Sequence, residues 1–398
     1  MRAYLDNSAT TAQSSEVTKA MIAAIEDSYG NPSSLHRMGV ASEKLVKAAR
    51  TKAATAIGAR DEEVYYTSGG TESDNTAIFG AAASLKRQGN HIITTKMEHP
   101  AVLECYKRLA QQGFDVTYLD VDSQGFVDMA QLESAMTDDT ILVSVMHVNN
   151  ETGAVQPIAE IGKTVKKSPL ALFHCDAVQS YGKLPINVAN DSIDLLAASG
   201  HKIHGPKGTG ILYVKKDLHI QPLVCGGGQE KGMRAGTENV PGIIGFSEAA
   251  DIAHRNRTEN FKKVTAMRDH LLEGIRAEIS DIVVNSPVDL VYKNNREKGC
   301  LPHVLSISFL DTRGEVVLHM LEQAGIFVST GSACSSNKKG QSHVLTAMGR
   351  SHKEIEGTVR FSLSPYNTME EIEYTIDKLK KIVADHRKMM AIAARMGR

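Results

Sequence analysis

Residues 141–148, ILVSVMHV, are apolar through most of their length instead of alternating between apolar and polar side chains. A strand with this pattern has both faces covered, which is typical of a parallel sheet packed between helices. Comparable runs occur along residues 13–255, and segments with helical periodicity separate them: EVYYTS, HIITT, DVTYL, ALFHCDA, DLLAAS and GILYVK. This alternation predicts an α/β fold with a mostly parallel sheet.

The pattern changes after residue 255. Residues 256–279 place apolar side chains on one helical stripe, which predicts a helix leading into a second domain. Beyond it lie two strand candidates, VLSISFL and GTVRFSLS, and a terminal helix whose start is indicated by a capping box of Thr368 and Glu371. The C-terminal part of the chain therefore predicts an α+β unit rather than more of the parallel sheet.

The chain has 398 residues, which is more than a single hydrophobic core usually contains. We therefore predict two domains. The large one spans residues 13–255, and the smaller one combines residues 1–12 with residues 256–398.

Composition restricts the class of partner. The 45 Lys and Arg residues balance 46 Asp and Glu residues, and neither sign forms the long block expected of a nucleic-acid or membrane surface. No apolar run reaches the roughly 20 residues of a membrane span, and no secretion signal opens the sequence. The five cysteines lie far apart without a CxxC pair, which argues against a disulfide framework or a zinc ribbon. We expect a soluble cytoplasmic protein that acts on small molecules or other proteins.

Two charged side chains follow buried strands. In SGHKIHGPKGTG (199–210), Lys202 comes directly after an apolar strand, at the edge where such sheets bind ligands. A partly desolvated lysine amine forms a Schiff base with a carbonyl cofactor, although a surface lysine would explain the same stretch. Asp176 ends another strand and is either a helix cap or the partner of a pyridinium nitrogen. Gln179, one turn further on, is placed to meet a ring oxygen of the same ligand.

A third stretch predicts an anion site. YYTSGGTESDN (65–75) runs from a strand through a glycine pair into a helix that begins near Gly70 and Thr71. The free N–H groups and the positive dipole end of such a helix suit a phosphate, although a capped helix after a tight turn fits the residues equally well. Ser199 and His201, which flank Lys202, are placed to add phosphate hydrogen bonds.

Three further polar residues lie at strand ends or loops. His99 precedes a proline at a strand-to-helix junction, where it is either a helix cap or a side chain that stacks on a flat ring and moves a proton. Asn150 follows the ILVSVMHV run. Arg360 has the planar donor fork that binds a carboxylate, although a structural salt bridge would also account for it. Together these motifs converge on pyridoxal phosphate.

In order along the chain, these stretches resemble the class V aminotransferase-like, pyridoxal-phosphate-dependent enzymes, and within them the cysteine desulfurases of the IscS/NifS type. The resemblance covers nearly the whole chain through the following motifs: YLDNSATT, GNPSSLHRMG, TSGGTESDN, EHPAV, HVNNETGAVQPI, HCDAVQS, SGHKIHGPKGTG, GGGQEKGMRAGTENV, GSACSS and VRFSLS. It implies the type I fold of the pyridoxal-phosphate transferases. The cofactor would lie in the large domain, and the small domain would carry a loop with a catalytic cysteine, Cys334.

The resemblance also implies a role for each site residue. Lys202 would hold the cofactor covalently, Asp176 would pair with its pyridine nitrogen, Gln179 would meet its ring oxygen, and His99 would stack on the ring and help move protons. Its phosphate would be bound by Gly70, Thr71, Ser199 and His201, and by Thr237 reaching across a homodimer interface. Asn150 would contact both the cofactor and the substrate carboxylate, which Arg360 would also bind.

The implied reaction converts L-cysteine to L-alanine, with Lys202 as the candidate base. Cys334, in STGSACSS (329–336), would take the sulfur as a persulfide and pass it to an acceptor, such as an iron–sulfur scaffold or a tRNA-thiolation enzyme. A thiol with an ordinary pKa of about 8.5 needs some local lowering to act as a thiolate. The sequence does not identify the group that supplies it.

Other functions compete with this interpretation. A selenocysteine lyase or an aminotransferase of the same fold is the nearest alternative, and Cys334 favours desulfuration over plain transamination. A sulfur carrier without catalysis would leave Lys202 and Asp176 unexplained. A metal-dependent hydrolase could draw ligands from His174, Cys175, Asp176, His201 and His204, but their spacing matches no standard zinc signature, and we predict no metal.

Overall fold

The computed structural model describes residues 1–330 and 341–396, with side chains described as far as residue 393. The strands are β1 (Ala3–Tyr4), β2 (Val64–Thr67), β3 (His91–Thr95), β4 (Asp115–Leu119), β5 (Thr140–Ser144), β6 (Ala154–Val155), β7 (Leu172–Asp176), β8 (Leu195–Ser199), β9 (Gly210–Val214), β10 (Ile282–Val284), β11 (Gly299–Cys300), β12 (Val304–Phe309), β13 (Ile326–Phe327) and β14 (Thr358–Ser362). The helices are α1 (Ser15–Asp27), α2 (Arg37–Thr55), α3 (Gly70–Leu85), α4 (Pro100–Gln111), α5 (Met129–Ala135), α6 (Ile158–Val165), α7 (Val240–Glu278), α8 (Gly314–Gln323), α9 (His343–Ala347), α10 (His352–Glu356) and α11 (Met369–Met396).

The largest sheet has the strand order β2-β9-β8-β7-β5-β3-β4. Its strands from β8 to β4 are parallel, and β9 runs antiparallel to both of its neighbours. Each strand predicted in residues 13–255 is present, so the mostly parallel α/β fold is confirmed. The ILVSVMHV strand is shorter than predicted, because β5 ends at Ser144. Residues 145–148 are buried nevertheless, so the apolar run indicated burial correctly and sheet pairing only in part.

Both faces of this sheet are covered. On β5, Leu142 packs into a cluster with Ile92, Val102 and Tyr106, and the adjacent Val143 packs into a separate cluster with Phe173. Neighbouring residues of a strand point to opposite faces, so the two clusters lie on opposite sides of the sheet. Burial on both faces of the sheet, which the sequence predicted, therefore explains the continuous apolar pattern of this strand.

A second core surrounds the antiparallel sheet β10-β12-β14, with α8 and α11 packed against it. Leu5 joins this core, and β1 pairs with β13, so the N-terminus lies with the C-terminal part of the chain. This arrangement supports the predicted domain division, which remains a proposal.

Helix α7 differs from its prediction. It begins at Val240 rather than near residue 256, because the Asn239 side chain accepts from the Gly242 N–H at 3.1 Å and Pro241 occupies the first turn. Its first half packs into the core of the parallel sheet and its second half into the second core. A single continuous helix thus passes through the predicted boundary at 255/256.

The start of α11 agrees with its prediction. The Thr368 hydroxyl accepts from the Glu371 N–H, and the Glu371 carboxylate accepts from the Thr368 N–H, both at 3.2 Å, so the capping box is confirmed. None of the helices in the described ranges is long and apolar enough to cross a membrane.

Candidate active site

A cavity of about 380 Å³ lies at the carboxyl edge of the parallel strands. It brings together the predicted site residues Gly70, Thr71, His99, Asn150, Asp176, Gln179, Ser199, His201, Lys202 and Arg360. Thr237 is exposed and does not line it. Cys334 lies outside the described residues. The strand-end positions predicted from sequence therefore converge in one place, as expected of the switch-point edge of an open α/β sheet.

Lys202 ends a single 3₁₀ turn, Gly200–Lys202, directly after β8. Its Nζ donates to the carbonyl oxygens of Ser8 and Ala9, at 2.5 and 2.8 Å. These two carbonyls come from the N-terminal segment, which crosses this edge of the sheet. The lysine is therefore directed into the cavity by backbone acceptors, and the surface-lysine interpretation does not describe it.

Asp176 is the last residue of β7 and is 5% exposed. Its Oδ1 accepts from the Val178 N–H at 2.9 Å, so it caps a turn and not the helix that the cap interpretation predicted. Burial raises the pKa of this carboxyl, and the charge of Lys202 opposes that effect. A bound cation beside Asp176 would stabilise its ionised form. Gln179 lines the same cavity and donates from Nε2 to the Ser8 carbonyl at 3.0 Å.

The start of α3 is suited to an anion. Its N-cap residue is Gly69, and no side chain caps the helix, so the first-turn N–H groups of Gly70 and Thr71 have no intrahelical acceptor. A Cβ at Gly70 would come within 2.5 Å of Val178 Cγ2, so a larger residue there would collide with the Val178 side chain. His201 lies nearby, with Nδ1 3.2 Å from Thr10 Oγ1. Backbone N–H groups and the positive helix dipole together favour a phosphate here.

His99 agrees with its helix-cap interpretation and also lies at the cavity. It is the N-cap of α4, where its Nδ1 accepts from the Ala101 N–H at 3.1 Å, and it lines the cavity. Burial, aided by the charges of Lys202 and His343, lowers the pKa of His99 to about 4. The neutral ring with Nδ1 as acceptor carries its proton on Nε2. His99 therefore offers the cavity an N–H donor at neutral pH.

Arg360 lies on β14, 3% exposed, and reaches the cavity from the second core. Its Nη2 pairs with Asp6 Oδ1 and its Nη1 donates to the Asn150 carbonyl, each at 2.9 Å. The salt-bridge interpretation of Arg360 is thus correct. A guanidinium has five N–H donors, and two of them satisfy these contacts. Residues 1–330 and 341–393 leave the other donors to a ligand, and the salt bridge fixes their direction.

The sequence matches the class-V aminotransferase family over residues 3–375. The chain belongs to the class-V aminotransferase family. Cysteine desulfurase IscS of Clostridium botulinum (strain Hall) is 44% identical over 386 residues, which cover 97% of this chain and 95% of that protein. Among solved structures, a NifS-like protein has a TM-score of 0.89 at 39% identity and covers 96% of this chain and 100% of its own. SspA in complex with cysteine has a TM-score of 0.80 at 35% identity, with coverages of 92% and 100%.

Pyridoxal 5′-phosphate is the cofactor of this class-V protein, and the cavity fits it. The start of α3 would hold an anionic phosphate, the buried Asp176 carboxylate would pair with a ring nitrogen, and the Lys202 amine would bond to an aldehyde. These three groups match the three polar ends of the cofactor. Within the described residues no group of three or more His, Cys, Asp or Glu is arranged to hold a metal ion.

The class-V site also contains acidic residues that sequence reasoning missed. Asp74 lines the cavity, is 1% exposed, and has Oδ1 3.3 Å from His174 Nε2. One signal was available, because Asp74 lies one turn after Gly70 and so shares its helix face. Glu151 lines the cavity too, and Ser342 donates to it at 2.5 Å. Burial raises the pKa of Glu151 to about 7.

Proposed function

We propose that this protein is a cysteine desulfurase whose cavity removes sulfur from L-cysteine, leaves L-alanine, and passes the sulfur to Cys334 as a persulfide. One observation carries the proposal: the Lys202 amine, the buried Asp176 carboxylate and the Arg360 guanidinium line one cavity. The class-V match and the curated relatives named cysteine desulfurase support the same activity.

Substrate binding begins with the carboxylate of L-cysteine. Arg360 offers the donors that its contacts with Asp6 and Asn150 leave over, and Asn150 lines the cavity beside it. A bidentate guanidinium contact fixes the orientation as well as the position of a carboxylate. The amino group and the Cα–H of the substrate are thereby directed toward Lys202.

Proton movements fall to Lys202 and His99. Pyridoxal phosphate, when bound, supplies an electron sink that makes the substrate Cα–H acidic. The Lys202 amine is the base that takes this proton. His99, neutral with its proton on Nε2, would donate a hydrogen bond toward the substrate, and Asp176 would supply the negative charge that pairs with the ring nitrogen.

Sulfur transfer needs a nucleophile, and Cys334 is the residue we assign. An S–S bond forms between the Cys334 thiolate and the substrate sulfur while the substrate Cβ–S bond breaks. The electron pair of the broken bond stays with the carbon skeleton, which gains a proton and leaves as alanine. Ser329 forms an antiparallel β-bridge with Arg360 and lies five residues before Cys334. Gln341 lines the cavity and lies seven residues after Cys334. Both flanking positions support this assignment.

The test mixes the pyridoxal-phosphate-loaded protein with L-cysteine and a thiol reductant, and measures alanine and sulfide together. We expect equal amounts of both products. Cys334→Ser should still bind L-cysteine, as judged by the change in the visible spectrum, but should form no enzyme persulfide. Cys225→Ser, which replaces an exposed cysteine outside the cavity, is the matched control and should behave as the wild type. Normal turnover by Cys334→Ser would remove that residue from the mechanism.

A homodimer is part of the proposal. Large apolar side chains are exposed on helices α1 and α2 and on the segment that connects them. Leu35 is 98% and Tyr29 is 75% exposed, and the others are Ile22, Ile25 and Met38. An apolar patch of this kind marks a protein interface, and a second copy accounts for it together with the exposed Thr237. Sedimentation should give the mass of a dimer, and Leu35→Asp should shift it toward the monomer. Val291→Asp, at another exposed apolar position, should not.

The acceptor and the compartment complete the proposal. We infer that the persulfide sulfur passes to an acceptor protein in the cytoplasm, either an iron–sulfur scaffold or a tRNA-thiolation enzyme. The curated relatives named IscS support the first of these. Incubating persulfide-loaded protein with each purified acceptor, and following ³⁵S from labelled cysteine, distinguishes the two.

A further inference from the structure

A second cavity of about 50 Å³ shares Lys202 with the active-site cavity. We call it the rear cavity. The side chains on its wall that can carry a positive charge are Lys183, Lys202, His204, Arg257 and His303. Among the described residues that line it there is no Asp or Glu. A partly enclosed space surrounded by one sign of charge focuses the electrostatic potential and attracts the opposite charge.

Lys183 and Arg257 have weak internal partners. The Lys183 Nζ donates to Gln179 Oε1 at 3.5 Å, at the limit of a hydrogen bond, and Arg257 Nη1 lies 3.4 Å from His254 Nδ1. In the described part of the chain neither forms an ion pair with a carboxylate. Buried lysines are normally paired, because an isolated charge in a low-dielectric site is costly. Burial, together with the charge of Lys202, lowers the pKa of Lys183 to about 7.

His303 provides a second, independent observation. It is 5% exposed and lines the rear cavity, and in residues 1–330 and 341–393 its Nδ1 is buried without a hydrogen-bond partner. Buried polar atoms nearly always have a partner, either protein or a bound species. His204 is different, since its Nδ1 lies 2.8 Å from the Ala12 carbonyl and so donates to it. The polar side chains of this wall that lack a strong partner among the described residues are therefore Lys183, Arg257 and His303.

The size of the space selects the ligand. A single water needs roughly 10–15 Å³ on the same measure, so about 50 Å³ holds one near-spherical ion or a few waters. We propose that the rear cavity binds a small monovalent anion of the halide class, held by Lys183 and His303.

Occupancy would also influence the active site, and this consequence rests on the proposed function. The positive charges of Lys183 and Lys202 repel each other. An anion between them offsets that repulsion and favours the protonated form of the Lys202 amine. The halide would therefore slow a step that needs this amine unprotonated. The binding proposal itself does not depend on activity.

Bromide is the direct probe. Crystals of the pyridoxal-phosphate-loaded protein soaked in bromide should show an anomalous peak in the rear cavity. Lys183→Met, which keeps the length of the side chain and removes its charge, should lose the peak. Lys163→Met, at an exposed lysine on α6, is the matched control and should keep it. A wild-type cavity holding only water, or a peak that persists in Lys183→Met, would overturn the proposal.

Thermal unfolding supplies a measurement in solution. At tenfold its dissociation constant, a ligand that binds only the folded state should raise the Tm of a 398-residue chain by about 1.5–2 °C. At equal ionic strength, chloride should raise the Tm above its value in gluconate for the wild type and for Lys163→Met. It should not raise the Tm of Lys183→Met. An equal rise in all three proteins would mean a non-specific salt effect and would refute the site.

The affinity should also depend on pH. Halide binding should weaken as the pH rises through about 7, because Lys183 loses its proton there. The other titratable or charged groups facing it are Lys202, Arg257, His204, His303 and Tyr366. Burial keeps the pKa values of both histidines low, that of His204 at about 4, and raises that of Tyr366. Constant affinity between pH 6 and pH 8.5 would contradict the assignment to Lys183.

Discussion

The contacts of Arg360 predict how a conservative substitution should impair substrate binding. Two of its five N–H donors are occupied, by Asp6 and by the Asn150 carbonyl, and in the described part of the chain its buried Nε has no partner. A lysine at this position has one ammonium group with three donors. It cannot keep both internal contacts and also bind a carboxylate in a bidentate manner.

Arg360→Lys should therefore lose about one charge-assisted hydrogen bond to the substrate carboxylate. Such a bond contributes roughly 1.5–3 kcal/mol, which corresponds to a decrease of about 10- to 150-fold in kcat/KM. Because the contact is made before the chemical steps, most of the change should appear as a higher KM. The assay is the initial rate of alanine formation against L-cysteine concentration, with the cofactor spectrum as a check that the site is intact.

Arg387→Lys is the matched control. Arg387 lies on α11 and donates to the carbonyls of Leu310, Ser280 and Asp281. It does not line the active-site cavity, so its variant should keep the wild-type KM. An unchanged KM in a correctly folded Arg360→Lys, or an equal increase in Arg387→Lys, would refute the carboxylate-binding role.

The remaining predictions concern Lys202, Glu98 and His99. Lys202→Ala should lose the visible band of covalently held cofactor and alanine formation together, and a surviving band would exclude Lys202 as the attachment site. Burial raises the pKa of Glu98 to about 8. The folded wild type should therefore lose stability as the pH rises from about 4.5 to 8, because the unfolded chain releases this proton more readily. Over that range the Tm of Glu98→Gln should rise by a few °C relative to that of the wild type. Glu104→Gln, an exposed change on the nearby helix α4, should show no such divergence. Because the pKa of His99 is about 4, the pH profile of kcat/KM should have no His99-dependent step near 6.5. His99→Gln should reduce the rate by about 10²- to 10⁴-fold. A step near 6.5 that this variant abolishes would contradict the assignment of His99 as a neutral donor.

Predictions from local pattern were the most accurate. The apolar runs located the central strands of the sheet because burial on both faces favours apolar side chains at successive positions. The start of α11 was correct because a capping box is a contact between residues three positions apart. Local pattern was less accurate where distant contacts decide the structure. Helix α7 begins at Val240, whereas the apolar stripe that predicted it begins only at residue 256.

The site shows the same distinction. Strand-end positions predicted that Asp176, Ser199 and Lys202 would lie together, because the carboxyl ends of parallel strands share one edge of a sheet. Asp74 and Glu151 were missed because an acidic residue in a helix or a loop is usually solvated, and only packing makes these two nearly inaccessible.

By itself the sequence determined which chemical groups line the cavity: an amine, a carboxylate and an imidazole at strand ends or in loops, and a guanidinium on a strand of the second sheet. Tertiary structure decided their states. His99 is neutral because other elements bury it beside Lys202 and His343. The Lys202 amine is oriented by carbonyls 193 and 194 residues away, and Arg360 by a carboxylate 354 residues away. Charge state and direction depend on burial and on distant partners, and neither is encoded in the residues adjacent along the chain.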